Sequence, residues 1–165
     1  MARRIPIYAD AVILRPRSTV WQEMTGGERH PAWSEPTDSF RAVEGPGPGE
    51  VGHTQLYVGP PSPPFGLRSV IVGEIVEVAA ELSRTTVAIT PLWEYTERVD
   101  LRDTLDGHTS VAIAGWVITA PLSDELMHRT ARHFTQIVQG YLRRAVDWRP
   151  GDPFKTNLLT PEPRP

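Results

Sequence analysis

The sequence contains no cysteine. The chain therefore forms no disulfide, no thiolate zinc site and no thiol nucleophile. No apolar run approaches the length of a transmembrane helix. The opening residues MARRIPIYADAVILRPR are basic at the start, but Asp10 and Arg15 interrupt the apolar stretch before it reaches the length of a signal peptide. These absences predict a cytoplasmic location.

Other signals of common functions are also missing. The net charge is −3 and neither sign forms a long run, which argues against nucleic acid or an anionic membrane as the main partner. The segment GPGPG contains prolines, which lack the N–H groups that a phosphate-binding loop needs. No serine lies in a G-x-S-x-G frame, so the nucleophile elbow of an α/β-hydrolase is absent.

The length of the sequence corresponds to a single domain, and its prolines indicate where loops lie. Its 165 residues suffice for one core, and its 17 prolines are unevenly placed. Glu44–Glu50 and Gly59–Gly66 are rich in proline and glycine and predict loops between strands. We expect one ligand-binding domain over residues 1–148 and a proline-rich, extended tail over 149–165.

Most of the chain shows the two-residue alternation of half-buried strands. A short helix is predicted after the first strand, with Ser18 as its N-cap and Val20, Trp21 and Met24 as its apolar face, and a second short helix or loop carries ERHPAW. The predicted strands are Ile5–Leu14, Ser39–Glu44, Glu50–Val58, Leu67–Ala79, Thr85–Leu92, Trp93–Arg102 and Thr109–Ala120.

The last predicted element is a long amphipathic helix that ends near Trp148. Ser123 is its expected N-cap, and two acidic residues follow in the first turn, where the helix dipole favours them. One stripe at helical spacing is apolar or aromatic and comprises Met127, Phe134, Val138, Tyr141 and Ala145. A single antiparallel sheet with one long helix is expected to curl around that helix, and the imperfect fit predicts a mostly apolar cavity between them.

Three segments carry a resemblance to a known superfamily. PRSTVWQEMTGGERHPAWSE is similar to its first-helix segment, GEIVEVAAELSRTTVAIT to its fourth and fifth strands, and WEYTERVDLRDTLDGHTSVAI to its following hairpin. In this order they resemble the SRPBCC superfamily, the START and birch-pollen-allergen-like helix-grip proteins, over about residues 5–148. The resemblance implies an α+β fold in which a curved antiparallel sheet wraps around a long C-terminal helix, with two short helices after the first strand.

Within that superfamily the chain most resembles the bacterial aromatic polyketide aromatase/cyclases. The resemblance implies a cavity that folds a polyketide chain and promotes aldol cyclisation and dehydration. Other members bind lipids or confer resistance to enediyne toxins. The aromatase/cyclases carry a cavity arginine on the fourth strand, where an ungapped alignment gives this chain Glu77. An arginine-driven dehydration is therefore in doubt here.

Glu97 is the strongest candidate for chemistry. It shares the apolar side of its strand with Trp93, Tyr95, Val99 and Leu101, where a carboxylate is costly unless it is paired or faces a wet cavity. One interpretation is a proton acceptor or donor for an enolisable substrate, with the Tyr95 hydroxyl donating to the enolate. The alternatives are a salt bridge to the helix, for example to Arg144, or an outward-twisted strand end, with the two aromatic residues as plain core.

Two further acid–base candidates depend on which face of a strand is buried. His53 alternates with Gln55 and Tyr57, so it is placed for proton transfer if that face lines the cavity. If Thr54, Leu56 and Val58 fill the core instead, His53 faces solvent. Glu74 and Glu77 have opposite parity on the fourth strand, and the resemblance favours Glu77 inward, where it can share a proton with Glu97.

The expected pocket is lined mainly by aromatic residues, and no metal or organic cofactor is expected. His128 and His133 lie five apart on one helix and project from different faces, which is unsuitable for a metal site. The residues predicted to bind ligand are Trp33, Tyr57, Trp93, Trp116, Thr130, Phe134 and Tyr141.

The leading functional hypothesis is a cofactor-free cyclase or dehydratase that acts on a polyketide-like substrate, mainly by holding a flexible chain in one shape. The alternatives are a non-catalytic binder that carries or sequesters an apolar ligand or resists a toxin, and an interaction domain whose cavity is incidental. If an acyl carrier protein delivers the substrate, the basic residues Arg3, Arg4, Arg15 and Arg17 are its expected contacts. Both a monomer and a homodimer fit the sequence.

Overall fold

The protein is described by a computed structural model over residues 3–25, 39–44, 46–47, 49–62, 67–90, 93–119 and 122–149. Within these ranges, residues 39–44, 55, 57–62 and 67–69 are described by their backbone alone. The predicted second helix or loop with ERHPAW and the proline-rich tail after residue 149 lie outside the described residues.

Seven strands and two helices make up the described fold. In chain order they are β1 (Arg3–Ile13), α1 (Arg17–Thr25), β2 (Ser39–Glu44), β3 (Thr54–Ser62), β4 (Leu67–Ala79), β5 (Ser83–Ile89), β6 (Trp93–Asp103), β7 (Thr109–Thr119) and α2 (Asp124–Asp147). All predicted strands are confirmed, with ends that differ by at most about four residues. The first helix begins at Arg17, so the expectation that Ser18 caps it is wrong; Ser18 lies in its first turn.

The strands form a single antiparallel sheet in the order β1-β7-β6-β5-β4-β3-β2. Helix α2 lies along the edge strand β1 and covers one face of the sheet, here called the inner face. Residues that alternate on β1 are buried on this face, including Ile5, Ile7 and Ile13. They pack against Val138 and Leu142 of α2. The α+β helix-grip architecture expected from the sequence is confirmed.

Both ends of α2 are fixed by specific contacts. The Ser123 hydroxyl accepts a hydrogen bond from the Leu126 N–H at 3.3 Å, which confirms the predicted N-cap. Arg3 on β1 donates to Asp124 at 2.6 Å in the first turn. At the other end, Arg15 donates to the carbonyl oxygens of Ala145 and Trp148, each at 2.7 Å. These contacts anchor the helix along its full length.

Two irregularities alter which residues reach the inner face. The pairing of β4 with β5 shifts between Ile75 and Glu77, so one extra residue enters β4 there. Before β3, Gly52 has φ +89, and both it and His53 bond to Ile75 on β4. A glycine at positive φ followed by a residue opposite one partner is a G1 bulge. Each bulge changes the alternation that the sequence predicts.

None of the helices in the described ranges is long and apolar enough to cross a bilayer.

Candidate functional site

The centre of the site is a pair of side chains on β6. Tyr95 and Glu97 both point to the inner face, and the Tyr95 hydroxyl donates a hydrogen bond of 2.5 Å to Glu97 Oε2. Both side chains are half-buried, so they keep some accessible surface although they face the helix side of the sheet. The short bond joins a neutral donor to a charged acceptor, which is the stronger class of hydrogen bond.

Aromatic rings from β6 and α2 surround this pair. The Phe134 ring stacks on Tyr95 with centroids 5.7 Å apart and planes at 20°. The same ring meets Trp93 edge-on, at 5.3 Å and 79°. Stacked and edge-to-face contacts of this kind fix ring positions as well as burying area. Trp93, Tyr95, Glu97 and Phe134 are called the accessible region below.

The residues beside Glu97 on the neighbouring strands are small. Gly115 on β7 lies directly opposite Glu97, and a Cβ added there would overlap the carbonyl oxygen of Thr96. Close approach of the two strands therefore requires glycine at this position. On the other side, Thr86 of β5 is the partner of Glu97, and its buried Oγ1 has no hydrogen-bond partner among the described residues. Glu97 is thus flanked by a glycine on β7 and by a threonine on β5.

No cation compensates the Glu97 carboxylate within the described residues. Its hydrogen bond comes from Tyr95, and it forms no ion pair. The predicted alternative of a salt bridge to Arg144 is therefore wrong. An inward carboxylate held only by a hydroxyl is poorly explained by stability, because removal from water costs energy that a cation would offset.

His53 lies on the inner face and is only 3% exposed. The G1 bulge places it beside Ile75, which pairs with Thr86, the partner of Glu97. The imidazole Nδ1 is 2.9 Å from the carbonyl oxygen of Pro46, which can only accept, so Nδ1 donates this hydrogen bond. The alternative of a solvated His53 is wrong.

Glu77 is on the outer face, so the expectation that it faces the same space as Glu97 is wrong. Its carboxylate accepts from Thr85 at 2.9 Å and from Arg98 at 3.0 Å, and its side chain is 61% exposed. The physical reason is the bulge in β4, which moves Glu77 from the face of Ile75 to the opposite face. Strand parity read from the sequence alone does not contain this shift.

Trp116 is also on the outer face, which corrects its predicted place in the pocket. Its partners in the register are Pro6 and Thr96, both of outward parity, and the Arg4 guanidinium lies 4.7 Å above its ring. The Arg4 guanidinium therefore forms a cation–π contact with this ring.

The remaining predicted ligand-binding residues differ in what the structure describes. Tyr141 is half-buried and packs against the core. The Thr130 hydroxyl donates to the Leu126 carbonyl at 2.8 Å, so its donor is used within the helix. The backbone of Tyr57 pairs with Phe40 and Ile71. Its side chain and all of Trp33 lie outside the described residues.

Of the four N-terminal arginines, three are engaged in ion pairs. Arg3 binds Asp124, and Arg17 binds Asp103 at 3.1 Å. Arg15 is buried, so the expectation that it meets a protein partner at the surface is wrong. Its guanidinium binds Glu23 of α1 at 3.0 Å and lies 5.2 Å from the Trp148 ring.

The Arg15–Glu23 pair belongs to a densely filled end of the inner face. Burial raises the pKa of Glu23 above its ordinary value of 4.5, although the hydrogen bond and charge of Arg15 act to lower it. The surrounding apolar side chains are almost completely enclosed: Ile13, Val20, Val99, Leu101, Leu142 and Trp148. This set, with the ion pair, is called the closed end below.

Sequence reasoning missed several residues that shape the two regions. Gly115, inside AIAGWVIT, carried a usable signal because glycine within a strand often marks a close backbone approach. Thr86 had no such signal. Arg15 and Glu23 belong to different elements, so nothing in their spacing indicated a buried pair.

Two other features lie apart from the accessible region. In the part of the chain that is described, no three histidine, aspartate or glutamate side chains come close enough to hold a metal ion. A groove of about 370 Å³ opens between β1 and α2, and none of the predicted site residues lines it.

Comparisons with known proteins show similarity in structure and none in sequence. No family model matches the sequence, and a search of curated proteins finds no significant match. Several solved structures do match. Ara h 8.0201 superposes with a TM-score of 0.63 and is 14% identical, over 88% of this chain and 100% of that chain.

Two bacterial structures match over similar lengths. A START superfamily protein from Mycobacterium smegmatis has a TM-score of 0.66 and 11% identity, covering 86% of this chain and 97% of its own. The protein of unknown function SA2116 from Staphylococcus aureus has a TM-score of 0.71 and 10% identity, covering 88% and 93% respectively. Together with the strand order and the position of α2, these matches confirm the resemblance at the level of the fold: the chain has the helix-grip fold of the START and birch-pollen-allergen-like superfamily.

Proposed function

We propose that the chain binds a small, mostly apolar, polyketide-like ligand between the inner face and α2, and that Glu97 and Tyr95 transfer protons during its cyclisation and dehydration. The observation that carries this proposal is the Glu97 carboxylate, which faces inward, forms no ion pair with any described residue, and lies among aromatic rings. Pockets of this kind combine apolar walls with a few placed polar groups that orient the ligand. The helix-grip fold, which ligand-binding proteins share, is consistent with it.

In the proposed reaction, Glu97 accepts a proton from a methylene group between two carbonyls of the ligand. The resulting enolate carbon forms a bond to a ketone carbon further along the same chain, and the new alkoxide takes the proton back from Glu97. Glu97 then accepts a second proton from the same carbon, the C–O bond breaks, and the departing hydroxide takes that proton to leave as water, so that a double bond remains. Protonated Glu97 needs the Tyr95 hydroxyl less, so that hydroxyl can turn and donate to the enolate oxygen.

Most of the rate enhancement is expected to come from holding the substrate in one bent conformation. A poly-β-ketone chain has many conformers, and only a bent one brings the two reacting carbons together. Trp93, Tyr95 and Phe134 offer a rigid apolar wall against which one bend can be held. Holding two reacting groups in place replaces an improbable encounter by a favourable one, which is the larger share of catalysis in intramolecular reactions.

The test uses Glu97→Gln, which keeps the shape of the side chain and removes the base. The substrate is a linear poly-β-ketone thioester of N-acetylcysteamine, and cyclised product is measured by absorbance and mass spectrometry. We expect turnover to fall about 100-fold or more. Glu77→Gln is the matched control, because it changes the same chemical group on the outer face and is expected to leave turnover within about twofold.

Unchanged turnover in folded Glu97→Gln would remove Glu97 from the mechanism. Tyr95→Phe separates the hydroxyl from the ring, because it keeps the stacking on Phe134 and loses the hydrogen bond to Glu97. If Tyr95 acts on the enolate, this variant lowers the turnover number more than it raises the Michaelis constant.

The second candidate is a binder without catalysis, which sequesters an apolar ligand. The favouring observation is that no guanidinium among the described residues reaches Glu97: Arg84, the inner-face arginine of β5, is used by the Met24 carbonyl at 3.0 Å. For a binder, Trp93→Ala abolishes ligand binding while Glu97→Gln changes it little. Delivery by an acyl carrier protein, the cytoplasmic location and the choice between monomer and homodimer stay predictions.

A further inference from the structure

Strand β1 lies at one edge of the sheet, and among the described strands it pairs with β7 alone. The hydrogen bonds of the next pair of strands show which backbone groups of β1 are unpaired. Thr104 donates its N–H to the His108 carbonyl at 2.9 Å, so the even-numbered residues of β7 bond to β6 and the odd-numbered ones to β1. In the register of β1 with β7, the N–H and C=O groups of Tyr8, Asp10 and Val12 therefore point away from the sheet.

A proline limits this free edge at its start. Pro6 belongs to the same set as Tyr8, so its nitrogen faces away from β7 and takes no hydrogen bond from the sheet. That nitrogen also has no hydrogen to donate to a further strand. The segment of β1 that can pair with another strand is therefore Tyr8–Val12, called the free edge below.

The groove between β1 and α2 runs beside the free edge. It has a volume of about 370 Å³ and is lined by Asp10 and Ala11 of β1, whereas none of the described residues of β7 lines it. On the helix side it is lined by Gln139, Leu142, Arg143, Val146 and Asp147. The helix rises about 12 Å from the first to the last of these, the length of three to four residues in a strand. Space for the side chains of a short extended segment therefore lies next to unpaired backbone.

Apolar surface is present on both faces of the free edge. In the groove, Ala11, Leu142 and Val146 are apolar and belong to the edge of the hydrophobic core. On the outer face, Tyr8 is 57% exposed and Val12 is 48% exposed. A strand added to β1 would cover apolar groups with both sets of its alternating side chains.

The charges along the groove favour a basic partner. Two carboxylates, of Asp10 and Asp147, face one guanidinium, of Arg143, which leaves a net charge of −1. All three side chains are exposed, and none forms an ion pair with another described residue. A lysine or arginine side chain beside Asp10 would be attracted there.

We propose that the free edge and the groove bind an extended peptide segment of a partner protein, which pairs with β1 as an additional strand. Every second side chain of the segment is apolar and enters the groove, and a lysine or arginine lies beside Asp10. In strand addition, main-chain hydrogen bonds supply affinity and pockets for alternate side chains supply specificity. None of these residues belongs to the accessible region, so the proposal is independent of the proposed ligand site.

A second copy of the chain fits this surface less well than a peptide does. The inward side chains of its β1 already pack against its own α2, so they are not free to enter the groove. A second copy would also bring an identical rim with a net negative charge, and like charges that face each other weaken association.

The experiment selects binders without assuming their sequence. Phage that display short random peptides are panned against the immobilised full chain and, in parallel, against Val12→Pro. This substitution removes an N–H that points away from β7, so it keeps the ladder with β7 and blocks an added strand. Val12→Thr is the matched control, because it keeps the N–H and the β-branched shape. We expect wild type and Val12→Thr to enrich peptides that alternate apolar residues and carry a lysine or arginine, and Val12→Pro to enrich none of them.

A selected peptide is then synthesised, and its affinity is measured by calorimetry. We expect the dissociation constant to rise at least about tenfold in Val12→Pro, because main-chain hydrogen bonds are lost. Asp10→Lys reverses the charge beside the basic residue and should weaken binding about tenfold. Glu74→Lys makes the same change at an exposed position on β4, away from the free edge, and should leave the affinity within about twofold.

Amide hydrogen exchange, measured by NMR, locates the bound peptide. In the free protein the N–H groups of Tyr8, Asp10 and Val12 should exchange rapidly, because no strand covers them, and the peptide should slow their exchange about tenfold or more. Protection without peptide overturns the proposal. If that protection depends on protein concentration, the occupant is a second copy, and if it does not, the occupant is another segment of the same chain.

Two further outcomes overturn the proposal. One is that wild type enriches no peptide over Val12→Pro, and the other is that the selected peptides bind Val12→Pro as tightly as wild type. Should Val12→Pro not fold, the comparison of Asp10→Lys with Glu74→Lys and the amide exchange of wild type decide. Equal affinities in those two variants, with no slower exchange at Tyr8, Asp10 and Val12, would then refute the assignment.

Discussion

The two halves of β6 show how one strand can serve stability at one end and a site at the other. Val99 and Leu101 are each 2% exposed, whereas Trp93, Tyr95 and Glu97 on the same face are half-buried. The difference comes from the neighbours. Val99 and Leu101 lie opposite Ile113 and Val111, while Glu97 lies opposite Gly115. Large side chains flank Val99 and Leu101, and a glycine lies opposite the half-buried Glu97.

The same contrast separates the two inward carboxylates. Glu23 at the closed end has Arg15 at 3.0 Å, whereas Glu97 in the accessible region accepts from the Tyr95 hydroxyl and has no ion pair in the part of the chain that is described. A charge that is enclosed with a cation belongs to the architecture of the protein. A charge that keeps accessible surface and has no cation can still react. The pairing of a carboxylate is thus a better guide to its role than its inward orientation.

The largest effect on stability is expected from breaking the ion pair of the closed end. Glu23→Ala leaves the buried Arg15 without a counterion, and we expect the free energy of unfolding at neutral pH to fall by about 3–5 kcal/mol. Urea unfolding followed by tryptophan fluorescence measures it. Arg3→Ala is the control, because it breaks an exposed pair with Asp124 and should cost less than about 1 kcal/mol. Equal losses of unfolding free energy in the two variants would contradict the distinction between the buried and the exposed ion pair.

A substitution at Gly115 tests how closely β6 and β7 must approach each other beside Glu97. In Gly115→Ala the new methyl group meets the Thr96 carbonyl, so β6 and β7 must move apart. We expect a loss of about 1–3 kcal/mol in the free energy of unfolding. Ala114→Ser, on the exposed outer face next in sequence, is expected to stay within about 0.5 kcal/mol. A fully stable Gly115→Ala protein would show that β7 has room there.

The raised pKa of Glu23 predicts how the closed end responds to pH. The native state holds this proton more tightly than the unfolded chain does, because burial raises the pKa above 4.5. Stability therefore falls as pH rises from 4.5 through the raised pKa, by at most about 1.4 kcal/mol per pH unit. Unfolding of wild type and Glu23→Gln over a pH series isolates the effect, because other groups cancel in the difference. A difference that grows in favour of wild type as pH rises would contradict the direction of this shift.

The smallest expected effect is a gain in the free energy of unfolding, not a loss. Thr86→Val replaces a buried hydroxyl without a partner by a methyl group of similar size, so the ligand-free protein should gain about 1 kcal/mol in the free energy of unfolding. Thermal unfolding measures the gain. A loss of stability would indicate that the Thr86 hydroxyl has a structural role.

The fold was predictable from the sequence because alternation and helix periodicity are local signals. All strands and the capped helix α2 were expected within a few residues, and so was the inward orientation of Trp93, Tyr95 and Glu97. The side of β4 on which Glu77 lies was not predictable in this way. The bulge adds one unpaired residue to β4. Every residue after it therefore lies on the face opposite to the one that strict alternation predicts.

His53 illustrates the same difficulty with the opposite outcome. Its neighbours on β3 allowed either face to be buried, and the pairing of β3 with β4 decides, because it places His53 opposite the inward-facing Ile75. Trp116 was predicted to line the pocket because it is aromatic. Its position next to the inward-facing Val117 on β7 already indicated that it lies on the outer face. Long-range partners such as Arg15 and Ala145 are separated by 130 residues and leave no local trace.

The bonds from Arg15 to the end of α2 have a consequence for the order in which the fold can assemble. All seven strands are synthesised before α2, so the sheet can pair while its inner face is still uncovered. The acceptors of Arg15 at Ala145 and Trp148 emerge only with the final turn of that helix. A nascent chain released before Ala145 would expose both the apolar face and an unsatisfied guanidinium, and would be a substrate for chaperones or proteases.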